Sequence, residues 1–490
     1  MTRAALLAHR SGSSARVVLA RGPHPGLHWG EGYGLPGDAL HRSDTHAPRR
    51  ERRVGPVGEL DREHTSHVTA LRAFFVATGV LLADGASALS PDELGSLQEA
   101  FASDVARGAT RFAELGLVWA TDRVERLTLR RPRGDVLREE VIVCTLELGR
   151  EEADRAQAED ATRYLARWAK GAIALADFVP ALLRRAAAAQ LDHAALDADD
   201  PHEPAPGVRM LPVRSPTLPP AAHTNMFLVG GRTAVLVEPA TPFEDELDRI
   251  CEWVEEVEAH GTVVLAICAT HHHPDHIGGA VALQRRLGLP LWGHAKTAEA
   301  LVGEVEFDDL LEDGQHIELA FDEEGETMTL ECVHTPGHAH GHLCFYEPSS
   351  RALIAGDMIA GVGSILVEKH DGDMALYLAS LERMKALGAA CLLPAHGGVI
   401  VDPSACLDHY VAHRLAREEK VAAALATLGE GSPVDLVPSA YADTPRMLWP
   451  LAARALEAHL IHLHALGRAV DLGDGRYATT ATTAAGPKRP

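Results

Sequence analysis

The segment TVVLAICATHHHPDHIGG, residues 262–279, constrains the fold more than any other stretch. Its apolar first half reads as a buried strand, and the following GAVALQRRLG reads as a helix stopped by glycine. Between them, four histidines and one aspartate occupy the six positions 271–276. A strand, a polar loop and a helix in that order place the histidines at the carboxyl end of a strand, where α/β folds collect ligands. Taken alone, such a cluster fits metal binding, a solvated polar loop or proton transfer equally well.

The rest of the chain sets the context. Its 490 residues exceed what one hydrophobic core organises, so two or three domains are expected. The sharpest change in composition is QLDHAALDADDPHEPAPG, residues 190–207, where acidic residues, proline and glycine replace an alanine-rich helical pattern. We assign it as a linker between residues 1–189 and a second part starting at residue 208. There, TNMFLVGGRTAVLVEPA reads as two strands around the Gly230–Gly231 turn, and FEDELDRICEWVEEVEAHG reads as an amphipathic helix. HIELAF, MTLECVHT, HLCFYE and ALIAGD read as further strands. Residues 403–480 turn helical and close on a strand pair in GRAVDLGDGRYATT, and residues 481–490 are expected to be a disordered tail.

Composition excludes several classes of function. No apolar stretch approaches the roughly 20 residues of a membrane helix, and only a short apolar stretch precedes Arg10. The expectation is a cytoplasmic chain with no membrane partner. The seven cysteines contain no C-x-x-C pair, which argues against a disulfide scaffold and against a thiolate zinc site. A formal net charge of −23 repels polyanions and weighs against a duplex nucleic acid partner.

Thr270, His271, His273, Asp275 and His276 spell T-H-x-H-x-D-H, and three more elements follow in order: HTPGHAHGH with His338, IAGDM with Asp357, and LLPAHG with His396. Together they resemble the signature of the metallo-β-lactamase superfamily. The resemblance implies two metal ions, with His271, His273 and His338 on the first, Asp275, His276 and His396 on the second, and Asp357 bridging. It implies zinc, with iron or manganese as alternatives, and a metal-bound hydroxide as nucleophile, because coordination brings the pKa of water from about 16 to roughly 7. Asp275 would also orient that hydroxide and so act as the catalytic residue. His272, His334, His340 and His342 are expected to be neighbours in the loops and strands rather than ligands.

Past Asp357, GDMIAGVGSILVEKHDGDMALYLASLERM and YVAHRLAREEKVAAAL are similar to the lactamase-β-like branch of that superfamily, whose animal members include a single-strand endoribonuclease. In that branch a winged-helix-like region follows the catalytic domain, and YADTPRMLWPLAARALEAHLIHLHALGRAVDLGDGRYA fits helix, helix and wing. The chain departs from the superfamily pattern at Glu238, in VLVEPA, where an aspartate is usual; it is expected to support the ligands from behind. GYGLPGDALHRSD with HVTALRAFFVATGVLLADG resembles a Nudix domain in outline. Arg72 and Gly79 of its box persist, but Ala73, Val76 and Ala77 stand where carboxylates would hold magnesium.

The expected architecture is therefore α/β. It comprises a degenerate Nudix-like α/β sandwich at 1–189, a linker at 190–207, a metallo-β-lactamase αββα sandwich at 208–402 and a winged-helix-like region at 403–480. The expected activity is zinc-dependent hydrolysis of an ester, thioester, lactone or phosphodiester. A single-strand endoribonuclease is the alternative, and an iron-dependent sulfur dioxygenase or redox protein is a second. The expected partners are a small-molecule substrate or single-stranded RNA, with homo-oligomerisation as an option.

Overall fold

A computed structural model of the chain describes residues 201–480 apart from 362 and 363, residues 80–120 apart from 85 and 116, and further elements and short stretches of the first two hundred residues. The chain divides into two compact units. One holds Met1–Arg214, Leu218–His223 and Gly398–Asp402, and the other holds Ser215–Thr217, Thr224–Gly397 and Pro403–Pro490.

In the first unit, strand Thr2–Arg10 pairs in parallel with Glu140–Glu147, and Gly37–Ala39 joins it antiparallel. Helix Val57–Thr78 buries Val68, Leu71, Phe74 and Phe75, a spacing of three and four that forms one apolar stripe. That stripe meets Leu97, Phe101, Phe112 and Trp119 in one core, where the Phe112 and Trp119 rings stack at 4.4 Å. Ala73, Val76 and Ala77 of the expected Nudix-like box lie on this helix, whereas Gly79 and residues 40–56, with the basic RRERR cluster, lie outside the described residues. His202–Ala205 is a strand paired with Val208–Arg214, so regular structure occupies part of the segment read as a linker. The reason is local: Ala205, Val208 and Met210 are buried around the turn, which the acidic and proline-rich composition obscured.

In the second unit, β1 (His223–Gly230) and β2 (Thr233–Val237) form a hairpin, and β3 (Val263–Cys268), β4 (Leu291–His294) and β5 (Asp309–Leu311) follow side by side in parallel. Ala234 to Val237 of β2 are fully buried, as a strand covered on both faces requires. Helix α1 (Glu244–Ala259) lies between β2 and β3 in the chain and buries Leu247, Ile250, Val254 and Val257, with Glu244, Asp245 and Glu246 at its positive end. Two shorter helices, α2 (Pro274–Ile277) and α3 (Ala280–Leu287), connect β3 to β4.

A second sheet runs in sequence order through β6 (His316–Ala320), β7 (Thr327–His334), β8 (Leu343–Glu347), β9 (Ala352–Gly356) and β10 (Cys391–Pro394). β6 alternates, with Ile317 and Leu319 inward and His316, Glu318 and Ala320 outward, whereas β8 and β9 are buried throughout. Helix α4 (Met374–Ala386), capped by Asp373, crosses from β9 to β10 and is tied to the end of β7 by Ser380 Oγ donating to Pro336 O and Arg383 Nη1 to His334 O.

The remaining residues form α5 (Pro403–Leu428), α6 (Pro433–Ala440), α7 (Trp449–Ala465) and a small sheet containing Ala469–Asp471 and Tyr477–Thr479. Val421, Leu425, Leu436, Val437, Leu456 and Leu460 share their core. Two helices followed by a two-stranded wing agree with the sequence expectation.

Candidate metal centre

β3, β7, β9 and β10 deliver the site residues from their carboxyl ends. After β3, Pro274, whose fixed φ suits the first position of a helix, starts the single turn α2; His271 and His273 precede that turn, and Asp275 and His276 lie on it. His338 follows β7 in a loop that turns at Gly337, whose φ is +136°. A β-carbon at Gly337 would lie 2.2 Å from the Tyr377 backbone nitrogen, so only glycine lets the loop pass α4 this closely. Asp357 follows β9 immediately after Gly356, at φ +47°, and His396 follows β10.

The structure brings all seven of these residues together. His271 Nε2, His273 Nδ1 and His338 Nε2 face one another at 3.0 to 3.2 Å. The outer nitrogen of each ring has its own acceptor. His338 Nδ1 donates to Leu366 O at 2.7 Å, and His273 Nε2 donates to Asp371 Oδ2 at 3.0 Å. His271 Nδ1 lies 3.0 Å from Thr270 Oγ1, whose own proton goes to Glu238. These partners assign a lone pair to each inward nitrogen, so the three short contacts are not hydrogen bonds among the rings. Three lone pairs this close repel unless a cation lies between them, and tetrahedral ligands on zinc stand about 3.3 Å apart.

The second group adjoins the first. His396 Nε2 lies 3.4 Å from Asp275 Oδ2 and 3.3 Å from Asp357 Oδ1, while His276 Nε2 lies 3.8 Å from Asp275 Oδ1 and 3.6 Å from Asp357 Oδ2. Asp357 Oδ2 is also 3.6 Å from His338 Nε2, which sets this carboxylate between the two groups. His276 Nε2 and Asp357 Oδ1 are buried without a hydrogen-bond partner, a costly arrangement for polar atoms that a metal ion relieves. The donor set of imidazole and carboxylate, with no thiolate, suits a first-row divalent ion.

Electrostatics separate the two groups. Burial, reinforced by the neighbouring imidazoles, pushes His271 well down, and burial with His273 lowers His338 to about 4. Burial also opposes charge on His276, but Glu238, Asp357 and Asp275 outweigh it and raise that ring well above its usual value. The same opposition operates at Asp275 and Asp357, where burial is overcome by His276 and His396 and both carboxyls are held well below the usual range. Burial thus drives His271 and His338 toward the neutral form that ligates, whereas the second group is a charged network in which His276 and His396 face the ionised Asp275 and Asp357.

Supporting residues complete the site. Glu238 sits at the end of β2 with φ +70°, a strained backbone for a glutamate, and is held there by Thr270 and by His276 Nδ1, which donates to Glu238 Oε1 at 3.1 Å. Its longer side chain therefore reaches the backs of the ligands. His342 receives the Asp357 backbone N–H at 3.0 Å, and His272 lies 3.3 Å from Asp371. Asn225 and Asp371 escaped sequence reasoning. Asn225 Nδ2 donates to Pro394 O and Gly397 O and so clamps the His396 loop, yet it lies 169 and 172 residues from its partners. The carboxylate in HDGD was the only available sign of Asp371.

Residues 219–396 match the family described as the metallo-beta-lactamase superfamily, and residues 432–477 match the beta-lactamase associated winged helix domain. The chain is 32% identical over 206 residues to the lactamase-like protein adaB of Aspergillus niger, covering 41% of this chain and 58% of that one. It is 32% identical to the lactamase-like protein vrtG of Penicillium aethiopicum, covering 46% of this chain and 67% of that one. It is 34% identical to the atrochrysone carboxyl ACP thioesterase of Aspergillus chevalieri, covering 41% and 60%. The chain belongs to the metallo-β-lactamase superfamily, whose fold is usually hydrolytic and binds divalent metals, and it spans about three-fifths of the length of the first of these relatives. Among the described residues, no helix is long and apolar enough to cross a membrane.

Proposed function

We propose that this superfamily member is a binuclear zinc hydrolase of activated acyl compounds, with thioesters as the first substrate class. The convergence of seven imidazole and carboxylate side chains at the ends of four strands carries the reading. His271, His273 and His338 would hold one ion and Asp275, His276 and His396 the other, with Asp357 shared. When bound, such ions lower the pKa of water to roughly 7 and stabilise negative charge developing on an acyl oxygen. The protein's own groups then orient and hold. Asp275, which His276 and His396 hold ionised against its burial, would accept a hydrogen bond from the attacking oxygen and so aim its lone pair at the acyl carbon. Glu238 and Asp371 keep His276 and His273 turned inward. The thioester choice is supported by the similarity to the Aspergillus chevalieri thioesterase. The net charge of −23 disfavours the RNA alternative, because a polyanion is repelled at long range.

For residues 1–189 the Nudix-like reading stands as a proposal without catalysis, since Ala73, Val76 and Ala77 offer no oxygen ligand. Magnesium-dependent cleavage of nucleoside diphosphate derivatives that persists in His271→Ala would overturn it.

Elemental analysis of the purified chain, followed by assays on acyl-CoA thioesters, simple esters, lactones and single-stranded RNA, tests the main reading. Two zinc ions per chain with thioester turnover is the expected result. RNA cleavage with inert acyl substrates, or iron with no hydrolysis, would replace it.

A further inference from the structure

We propose that Asp371 is a positioning residue for the metal centre, holding His273 in the tautomer whose Nδ1 lone pair faces His271 and His338. The inference rests on reading those three histidines as a metal-binding set. His273 is unlike its two companions: it ligates through Nδ1, the nitrogen next to the chain, so its distal Nε2 points away and requires a separate acceptor. Asp371 Oδ2 supplies it at 3.0 Å, and the same oxygen lies 3.3 Å from His272 Nε2, so one carboxylate orients two adjacent rings. The carboxylate is four-fifths buried, with 19% of its side chain exposed, which keeps water from replacing it easily.

What holds Asp371 in place is a strap, residues 365–373, that the C-terminal helices grip. Arg414 of α5 donates to Ile365 O, Arg454 of α7 pairs with Glu368, and Lys369 pairs with Glu457 of α7 at 2.8 Å. The strap also accepts the His338 Nδ1 proton at Leu366 O, and Asp373 N donates to Gly337 O at 2.9 Å beside His338. Two of the three histidines of the first group are thus oriented by one segment, His338 by a backbone carbonyl and His273 by a side chain. The carbonyl cannot be removed by substitution, but the side chain can. Removing such an outer partner typically weakens metal binding by about 10- to 100-fold, because the free ring populates the wrong tautomer and turns.

The test is a cobalt(II) titration of the full-length, metal-stripped protein, followed by visible absorption in competition with a chelator. Asp371→Ala is expected to bind cobalt about 10- to 100-fold more weakly at the first group, with altered d–d bands. Asp371→Asn, whose amide oxygen still accepts the Nε2 proton, is expected to stay close to wild type. Ser432→Ala removes the cap of α6, outside the strap, and is expected to lower Tm while leaving cobalt affinity unchanged. Should the alanine variant not fold, Asp371→Ser carries the same expectation, since serine is too short to reach His273. Wild-type affinity in Asp371→Ala, or an equal loss in Ser432→Ala, would overturn the positioning role alone. A wild-type chain that takes up no cobalt would overturn the metal site itself.

Discussion

Asp275 combines two demands that few side chains meet. It must stay ionised while largely buried, and it must present an oxygen toward His396 and Asp357 from a one-turn helix. Because it sits on the one-turn helix lining the site and not in the apolar core, Asp275→Ala is expected to leave the fold intact while hydrolysis falls about a thousandfold, comparable to losing one oriented transition-state group. Comparing kcat/KM and thermal unfolding of the variant with wild type checks this, and unchanged turnover contradicts the role. At this scale His271, His273, Asp275 and His276 were legible in the sequence because they are contiguous and their residue types are dictated by metal chemistry. Asp371 was not, since its partner His273 is 98 residues away and a lone aspartate in a loop carries no signature.

Two elements show how packing maintains the site. The loop after β7 depends on Gly337, because any side chain there meets the start of α4 and must also adopt a backbone conformation disfavoured for L-residues. Gly337→Ala is expected to cost about 3 kcal/mol of stability and to weaken metal binding through His338. Denaturant unfolding together with metal titration reads both effects. The second case is the contact of α5 with α7, where buried Glu418 receives His462 Nδ1 at 2.6 Å and His459 Nδ1 at 3.4 Å. Burial works to raise the Glu418 pKa, but the two histidines prevail and hold it below its ordinary 4.5. A depressed folded value means the unfolded chain binds the proton more readily. The contribution is therefore complete above about 4.5 and is lost as pH falls through the folded value. Glu418→Gln is expected to be less stable at pH 7 and to show a flatter decline below pH 4.5, as measured by urea unfolding across that range. The periodicity of α1 and the alternation of β6 made such elements readable in the sequence. The short strands β4 and β5 and the hairpin at 202–214 were not, because only their neighbours in the sheets distinguish them from loops.

For the whole molecule, a metal centre assembled from four strands couples ligand binding to folding. The unfolded chain retains at most the local pair His271 and His273, so an ion at a thousand times its dissociation constant is expected to stabilise the fold by about 4 kcal/mol. Calorimetry with and without chelator should show a clear rise in Tm on loading, absent in a His271→Ala/His338→Ala variant; equal melting of loaded and stripped wild type would contradict the coupling. By itself the sequence determined the donor chemistry, the His-x-His-x-Asp-His loop after a buried strand and the helical, wing-bearing end, because each is written in contiguous residues and their periodicity. The ordered motifs already implied that His338, Asp357 and His396 meet that loop with Asp357 between two groups and Glu238 behind the ligands; only the tertiary structure decided the distances at which they meet, and that Asp371, Leu366 O and Asn225 hold the imidazoles and the His396 loop in place. Those contacts join residues tens to hundreds of positions apart, and their geometry follows from sheet pairing and helix packing, which leave no local trace in the chain.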